Sequence, residues 1–156
     1  MTDVAARFAE LGLTLPAPAA PVAAYVPTVE HGGLLHISGQ LPFLDDGSFI
    51  TGRLGADVDL AGGQHAAKRC GVMLIAQIGA ALGGDFSRVE RIVKLGVFVN
   101  STLDFTDQPQ VANGASELME AVFGASGKHA RSAVGVAVLP RGAAVEIDAI
   151  VAVRPA

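Results

Sequence analysis

The spacing of apolar and polar residues divides the chain into a small set of elements. In VAAYVPTVEHGGLLHISGQLP, two short extended runs flank His31-Gly32-Gly33, and paired glycines supply the positive φ that a tight hairpin needs. In the second run Leu35 and Ile37 share one face while His36, Ser38 and Gln40 take the other. From about Leu60 to Leu82, Ala67, Val72, Leu74, Ile75, Ile78 and Leu82 recur at helical spacing before Gly83-Gly84, which predicts a long helix. RIVKLGVFVN (91–100) is rich in β-branched residues and predicts a third strand; Gln108 to Phe123 carries a stripe of Val111, Ala115, Leu118, Met119 and Val122 and predicts a second long helix. The last stretch reads as SAVGVAVLP and AAVEIDAIVAV joined as a hairpin by Pro140-Arg141-Gly142.

Ahead of these elements, MTDVAARFAELG has the charge alternation of a short amphipathic helix, and LPAPAAP (15–21) is a proline-rich arm. The expected organisation is an N-terminal helix and arm over 1–20, followed by one domain over 21–156. The order β-β-α-β-α-β-β has no internal repeat. It implies an α+β fold in which a mixed sheet carries both long helices on one face. No third long helix remains for the other face, so self-association through the sheet is expected there.

Composition sharpens that expectation. Hydrophobic residues make up 51% of 156 positions and charged residues only 17%, few for a lone domain that must cover its own surface. A net charge of -4 without a basic stripe opposes a nucleic-acid partner. The most apolar run, 71–84, is too short to span a bilayer, and the N-terminus lacks the pattern of a secretory signal, so a cytoplasmic protein is expected. Cys70 is the single cysteine and sits in the long helix, where a packed, inert thiol is the expectation. Phosphate-loop, dinucleotide and zinc-hydrolase motifs are absent, and His31, His36, His65 and His129 are scattered, so neither a metal nor a cofactor is called for.

One position stands out. Arg131 shares its face of the strand with Ala133, Gly135 and Ala137, while Ser132, Val134, Val136 and Val138 line the other. In VEIDAIVAV the apolar Val145, Ile147, Ala149 and Val151 leave Glu146 and Asp148 opposite. If the two apolar faces are buried together, Arg131 and Glu146 fall on one face of the hairpin, yet roughly 13 Å apart along it. A guanidinium on a half-buried strand needs a partner, which solvent, another subunit's carboxylate or an acidic ligand would each provide. A solvated strand-end arginine and a surface glutamate remain the alternative.

ISGQLP (37–42), KLGVFVN (94–100), ARSAVGVAVLP (130–140) and VEIDAIVAV (145–153) resemble the reactive-intermediate deaminase family, the Rid or YjgF-like proteins also labelled L-PSP endoribonucleases. The likeness runs from about Pro21 to the end. It implies a chorismate-mutase-like fold, a homotrimer with the sheets facing inward, and ligand clefts between subunits. By the same resemblance Arg131 grips the carboxylate of an imine or enamine acid such as 2-aminoacrylate. Glu146 handles protons around the attacking water, and Ser38, Tyr25 and Asn113 line the cleft. The implied reaction is hydrolysis of a carbon–nitrogen double bond to a 2-keto acid and ammonia, without metal or cofactor. Ala133 stands where the family has a cysteine, which marks a divergent subgroup and leaves a non-catalytic keto-acid-binding trimer as the second reading. A ribonuclease rests on the family label alone.

Overall fold

The computed structural model describes residues 3–18, 20–21 and 23–156. Its elements are α1 (Val4–Glu10), β1 (Thr28–His31), β2 (Leu34–Gln40), α2 (Leu60–Ala81), β3 (Val89–Asn100), α3 (Gln108–Phe123), β4 (Ala130–Val136) and β5 (Val145–Val153). Single turns of 3-10 helix occupy Phe86–Arg88, Gly124–Gly127 and Pro140–Gly142. The five strands form one mixed sheet in the order β1-β2-β5-β3-β4. The first turn of the predicted N-terminal helix begins beyond Met1 and Thr2, which lie outside the described residues, as do Ala19 and Val22 of the arm region.

Helix boundaries follow local chemistry. The Asp59 carboxylate caps α2 by accepting from the Gly62 amide at 2.7 Å, and Gly83 and Gly84, both at positive φ, end it. Helices α2 and α3 cover one face of the sheet, and their apolar stripes join Leu35, Ile37, Ile92, Leu95, Val97, Ile147 and Val151 in a single core. The two helices approach closely at Gly114, where an added Cβ would stand 2.8 Å from the Gln64 carbonyl carbon. Helix α1 packs on α3: Val4 and Phe8 are buried in the core, and Arg7 Nε donates to the Ala121 carbonyl at 2.9 Å. No helix among the described residues is long and apolar enough to cross a membrane.

The β1–β2 hairpin, both long helices and the third strand lie where the residue pattern places them. The final hairpin does not form. Strand β3 lies between β4 and β5, pairing antiparallel with β5 and parallel with β4, so Pro140–Gly142 belongs to a crossing connection and not to a hairpin turn. A register shift between Ile37 and Gln40 also brings Gln40 to the buried side, away from the face it would share with His36.

The parity of β4 is the second correction. Arg131, Ala133 and Gly135 pair with Leu95, Val97 and Val99 and so face the helices, whereas Glu146 pairs with Phe98 on the opposite face. Arg131 and Glu146 are on opposite sides of the sheet. The reason is chemical: α3 offers polar acceptors to the guanidinium, while Val134 is left 46% exposed on the face that no helix of the described residues covers.

Candidate functional site

Glu146 projects from the middle of the sheet into a cavity of about 360 Å³. Three features of β2 open this space. The bulge at Ser38 and Gly39 lifts the strand away from its neighbour. Gly39 leaves room for the carboxylate, since an added Cβ would come within 2.9 Å of Glu146 Cδ. Buried Gln40 ties the bulge from behind, donating from Nε2 to the Ser38 carbonyl at 3.0 Å and accepting at Oε1 from Gln77 Nε2 at 3.3 Å.

The front of the cavity comes from the arm. Ser38 Oγ donates to the Val26 carbonyl and the Ser38 amide to the Pro27 carbonyl, each at 2.9 Å, which brings Tyr25 over the opening. The opposite wall combines Phe43 with the Pro140–Gly142 connection, whose Arg141 guanidinium lies 4.6 Å above the Phe49 ring. Arg69, buried on α2, fixes this wall by donating from Nε to the Phe43 carbonyl at 2.6 Å and from Nη2 to Asp45 Oδ1 at 3.0 Å.

The surroundings of Glu146 shift the pKa of its carboxyl upward. Its pKa is raised above the ordinary 4.5, first by burial and then by the charge of Asp148 two residues along the same face. Asp148 is raised from 3.8 by burial, against the lowering effects of the Gly96 backbone and of Lys94. Behind the strand Cys70 is fully buried, its thiol donating to the Val145 carbonyl at 3.5 Å. Burial, with Glu146 nearby, pushes that thiol well above its ordinary range, so the sulfur is a packed group and not a nucleophile.

Arg131 occupies a second, open cavity of about 430 Å³ at the α3 edge. Its Nη1 donates to Asn113 Oδ1 at 2.8 Å and Ser116 Oγ at 3.0 Å, and Nη2 to the Pro109 carbonyl at 3.0 Å. All three acceptors are uncharged, so the guanidinium is oriented without being neutralised. His129 joins this group, with Nε2 2.9 Å from Ser116 Oγ and Nδ1 2.6 Å from the Gly127 carbonyl. Ala133, two residues beyond Arg131, packs its methyl against the core.

Within one chain, therefore, the residues singled out by sequence fall into two groups: Tyr25, Ser38 and Glu146 share one cavity, and Arg131 and Asn113 share another. The residue pattern singles out neither Arg141 nor Arg69. Arg141 carried only the signal of a turn residue, whereas Arg69, next to Cys70 on the buried stripe of α2, was detectable as a cation at a core position. Among the described residues no group of three or more histidine, cysteine, aspartate or glutamate side chains comes together as a metal site.

The fold and these motifs define a class. The family described as "YjgF/chorismate_mutase-like, putative endoribonuclease" matches residues 5–150, and the chain belongs to it. Protein TCP17 of Trypanosoma cruzi is 56% identical over 95% of this chain and 92% of its own length. A 2-iminobutanoate/2-iminopropanoate deaminase of Dermatophagoides farinae is 25% identical over 86% of this chain and 89% of its own. Among solved structures, the Agrobacterium tumefaciens protein Atu1372, of unknown function, superposes with a TM-score of 0.90 at 49% identity, covering 97% of this chain and 94% of that one. Escherichia coli TdcF with bound serine superposes at 0.59 with 25% identity, over 91% and 96% respectively.

Proposed function

We propose that this protein is a hydrolytic deaminase of small 2-imino and enamine acids, working in clefts between the subunits of a homotrimer. The observation that carries this reading is the convergence of Tyr25, Ser38 and a half-buried Glu146, whose pKa is raised by burial and by Asp148, on one cavity. The distant deaminase relative and the serine-bound neighbour support a ligand of amino-acid size and chemistry.

In this reaction Glu146 donates its proton to the imine nitrogen and water attacks the adjoining carbon, returning a proton to the carboxylate. The carbinolamine nitrogen then takes that proton back from Glu146 and leaves as ammonia while the hydroxyl proton passes to the carboxylate, giving the 2-keto acid; an enamine enters the same course once its terminal carbon has taken a proton and it has become the imine. The substrate carboxylate needs a cation. Arg131 serves from the adjoining subunit: it lies on the edge strand β4, oriented by Asn113 and Ser116, and it cannot reach Glu146 of its own chain through the sheet. The uncovered sheet face and the exposed Val134 and Val138 support the subunit contact that this requires.

The test is ammonia release from 2-aminoacrylate generated in place by a dehydratase. Wild-type protein accelerates release, while Glu146→Gln and Arg131→Ala do not; equal rates with and without wild-type protein overturn the reading. A non-catalytic, keto-acid-binding trimer is the second reading, favoured by Ala133 in place of the family's cysteine. Binding of 2-ketobutyrate without turnover would establish it. The acidic net charge of -4 disfavours the ribonuclease of the family label.

A further inference from the structure

The wall of the Glu146 cavity holds a cation that the proposed reaction does not use. Arg141 is the one non-glycine residue at positive φ among those described, at φ 57 and ψ 19, a conformation that side chains with a Cβ rarely adopt. The conformation is imposed from both sides. Gly52 donates to the Gly142 carbonyl at 3.0 Å and Ala144 to the Ile50 carbonyl at 3.1 Å, while Gly142 and Ala143 close back onto Leu139 and Pro140. Nothing in this turn requires a side chain at position 141, and glycine is the residue that its backbone favours. An arginine held at such a position, against its own backbone preference, points to a use for the guanidinium.

Its surroundings define that use. The Phe49 ring supports the guanidinium from below at 4.6 Å, leaving its planar edge for other partners. Among the described residues no carboxylate forms an ion pair with it, and no group accepts a hydrogen bond from it. Glu146 lines the same cavity and does not pair with it either. The contrast is with Arg131, whose donors are directed to three acceptors of its own chain. A cavity of about 360 Å³ also has room for more than a three- or four-carbon acid.

We propose that Arg141 is a second anion anchor of this site, so that the acids it favours carry a second acidic group: 2-imino dicarboxylic acids, and the 2-oxo dicarboxylic acids formed from them. The inference rests on the deaminase reading for the reaction and for the first anchor, but its own evidence is the geometry of the Arg141 turn. One carboxylate meets Arg131 of the adjoining subunit, Glu146 faces the carbon–nitrogen bond, and the distal carboxylate takes the two parallel hydrogen bonds of the Arg141 fork.

Calorimetry of the full-length protein with 2-oxoglutarate and 2-ketobutyrate tests this directly. Wild-type protein should bind the dicarboxylate about tenfold tighter or more, the gain expected of one charge-assisted pair. Arg141→Gly should abolish that difference while leaving the thermal midpoint unchanged or raised, because glycine relieves the backbone; Arg141→Gln, which keeps the length of the side chain, should lose the difference too. A preference absent from wild type, or surviving in both variants, overturns the proposal. Ammonia release is scored separately. A dicarboxylate preference that depends on Arg141 in a protein without turnover keeps the anchor and discards the deaminase; turnover without such a preference does the reverse.

Discussion

The Arg69 guanidinium, 5% exposed on α2, donates to the backbone carbonyl of Phe43 at 2.6 Å and so fastens the core helix to the wall of the cavity. The strength of this contact lies on the backbone side, because its other partner, Asp45, is an exposed carboxylate in high dielectric. Arg69→Met keeps much of the buried volume and leaves the Phe43 carbonyl without its charged donor. It is expected to destabilise the protein by about 2–3 kcal/mol in urea unfolding, and to speed proteolysis within 43–49 more than elsewhere.

Gly39 is a steric requirement of the catalytic proposal. Gly39→Ala places a methyl group where the Glu146 carboxylate lies, and the strand cannot yield without losing the bulge held by Gln40. Ammonia release is expected to fall at least as far as in Glu146→Gln, whereas circular dichroism remains that of a folded protein. Wild-type turnover in Gly39→Ala would show that the carboxylate need not occupy this position.

The two outward carboxylates of β5 give stability a defined pH dependence. Both have pKa values raised in the folded state, so between the unfolded values near 4.5 and 3.8 and the higher folded ones the native protein binds more protons than the unfolded chain. Their protonated forms favour the fold; this contribution is complete below the unfolded values and is lost as pH rises through the folded ones. Asp148→Asn should therefore raise the urea midpoint at pH 7, with the advantage shrinking as pH falls through the raised folded value toward 3.8. An advantage that grows on acidification would contradict the sign.

Association through the open face is tested at β4. Val134, 46% exposed, pairs with Phe98 on the uncovered face of the sheet, and Val138, just beyond the strand, is 75% exposed. Val134→Glu is expected to convert the proposed trimer into monomers in sedimentation velocity and to abolish the proposed ammonia release, since Arg131 and Glu146 of one chain face opposite sides. Full activity in a monomer would remove the intersubunit cleft from the mechanism.

Legibility in the sequence followed the range of the interactions. The β1–β2 hairpin depends on Gly32 and Gly33, and α2 and α3 on periodicity and local stops, all readable within a few residues. The place of β3 between β4 and β5 is set by pairings across the whole chain, for which no local signal exists. Parity at β4 misled for a related reason: the valine-rich face looked like core, but Asn113, Ser116 and the Pro109 carbonyl make the helix side hospitable to Arg131. Glu146 stands out in the alternation of VEIDAIVAV and Ser38 in the motif resemblance, whereas the position of Arg141 beside them depends on a crossing connection that only the topology reveals.

Strand β5 occupies the centre of the sheet, with Val145 and Ile147 in the core and Glu146 between them in the cavity. Sliding it by a single residue would drive the acid into oil and turn valine toward solvent, so misthreading and loss of chemistry are one and the same accident. Any copy that completes its fold already has its acid in place, and quality control of the fold doubles as quality control of the proposed catalyst.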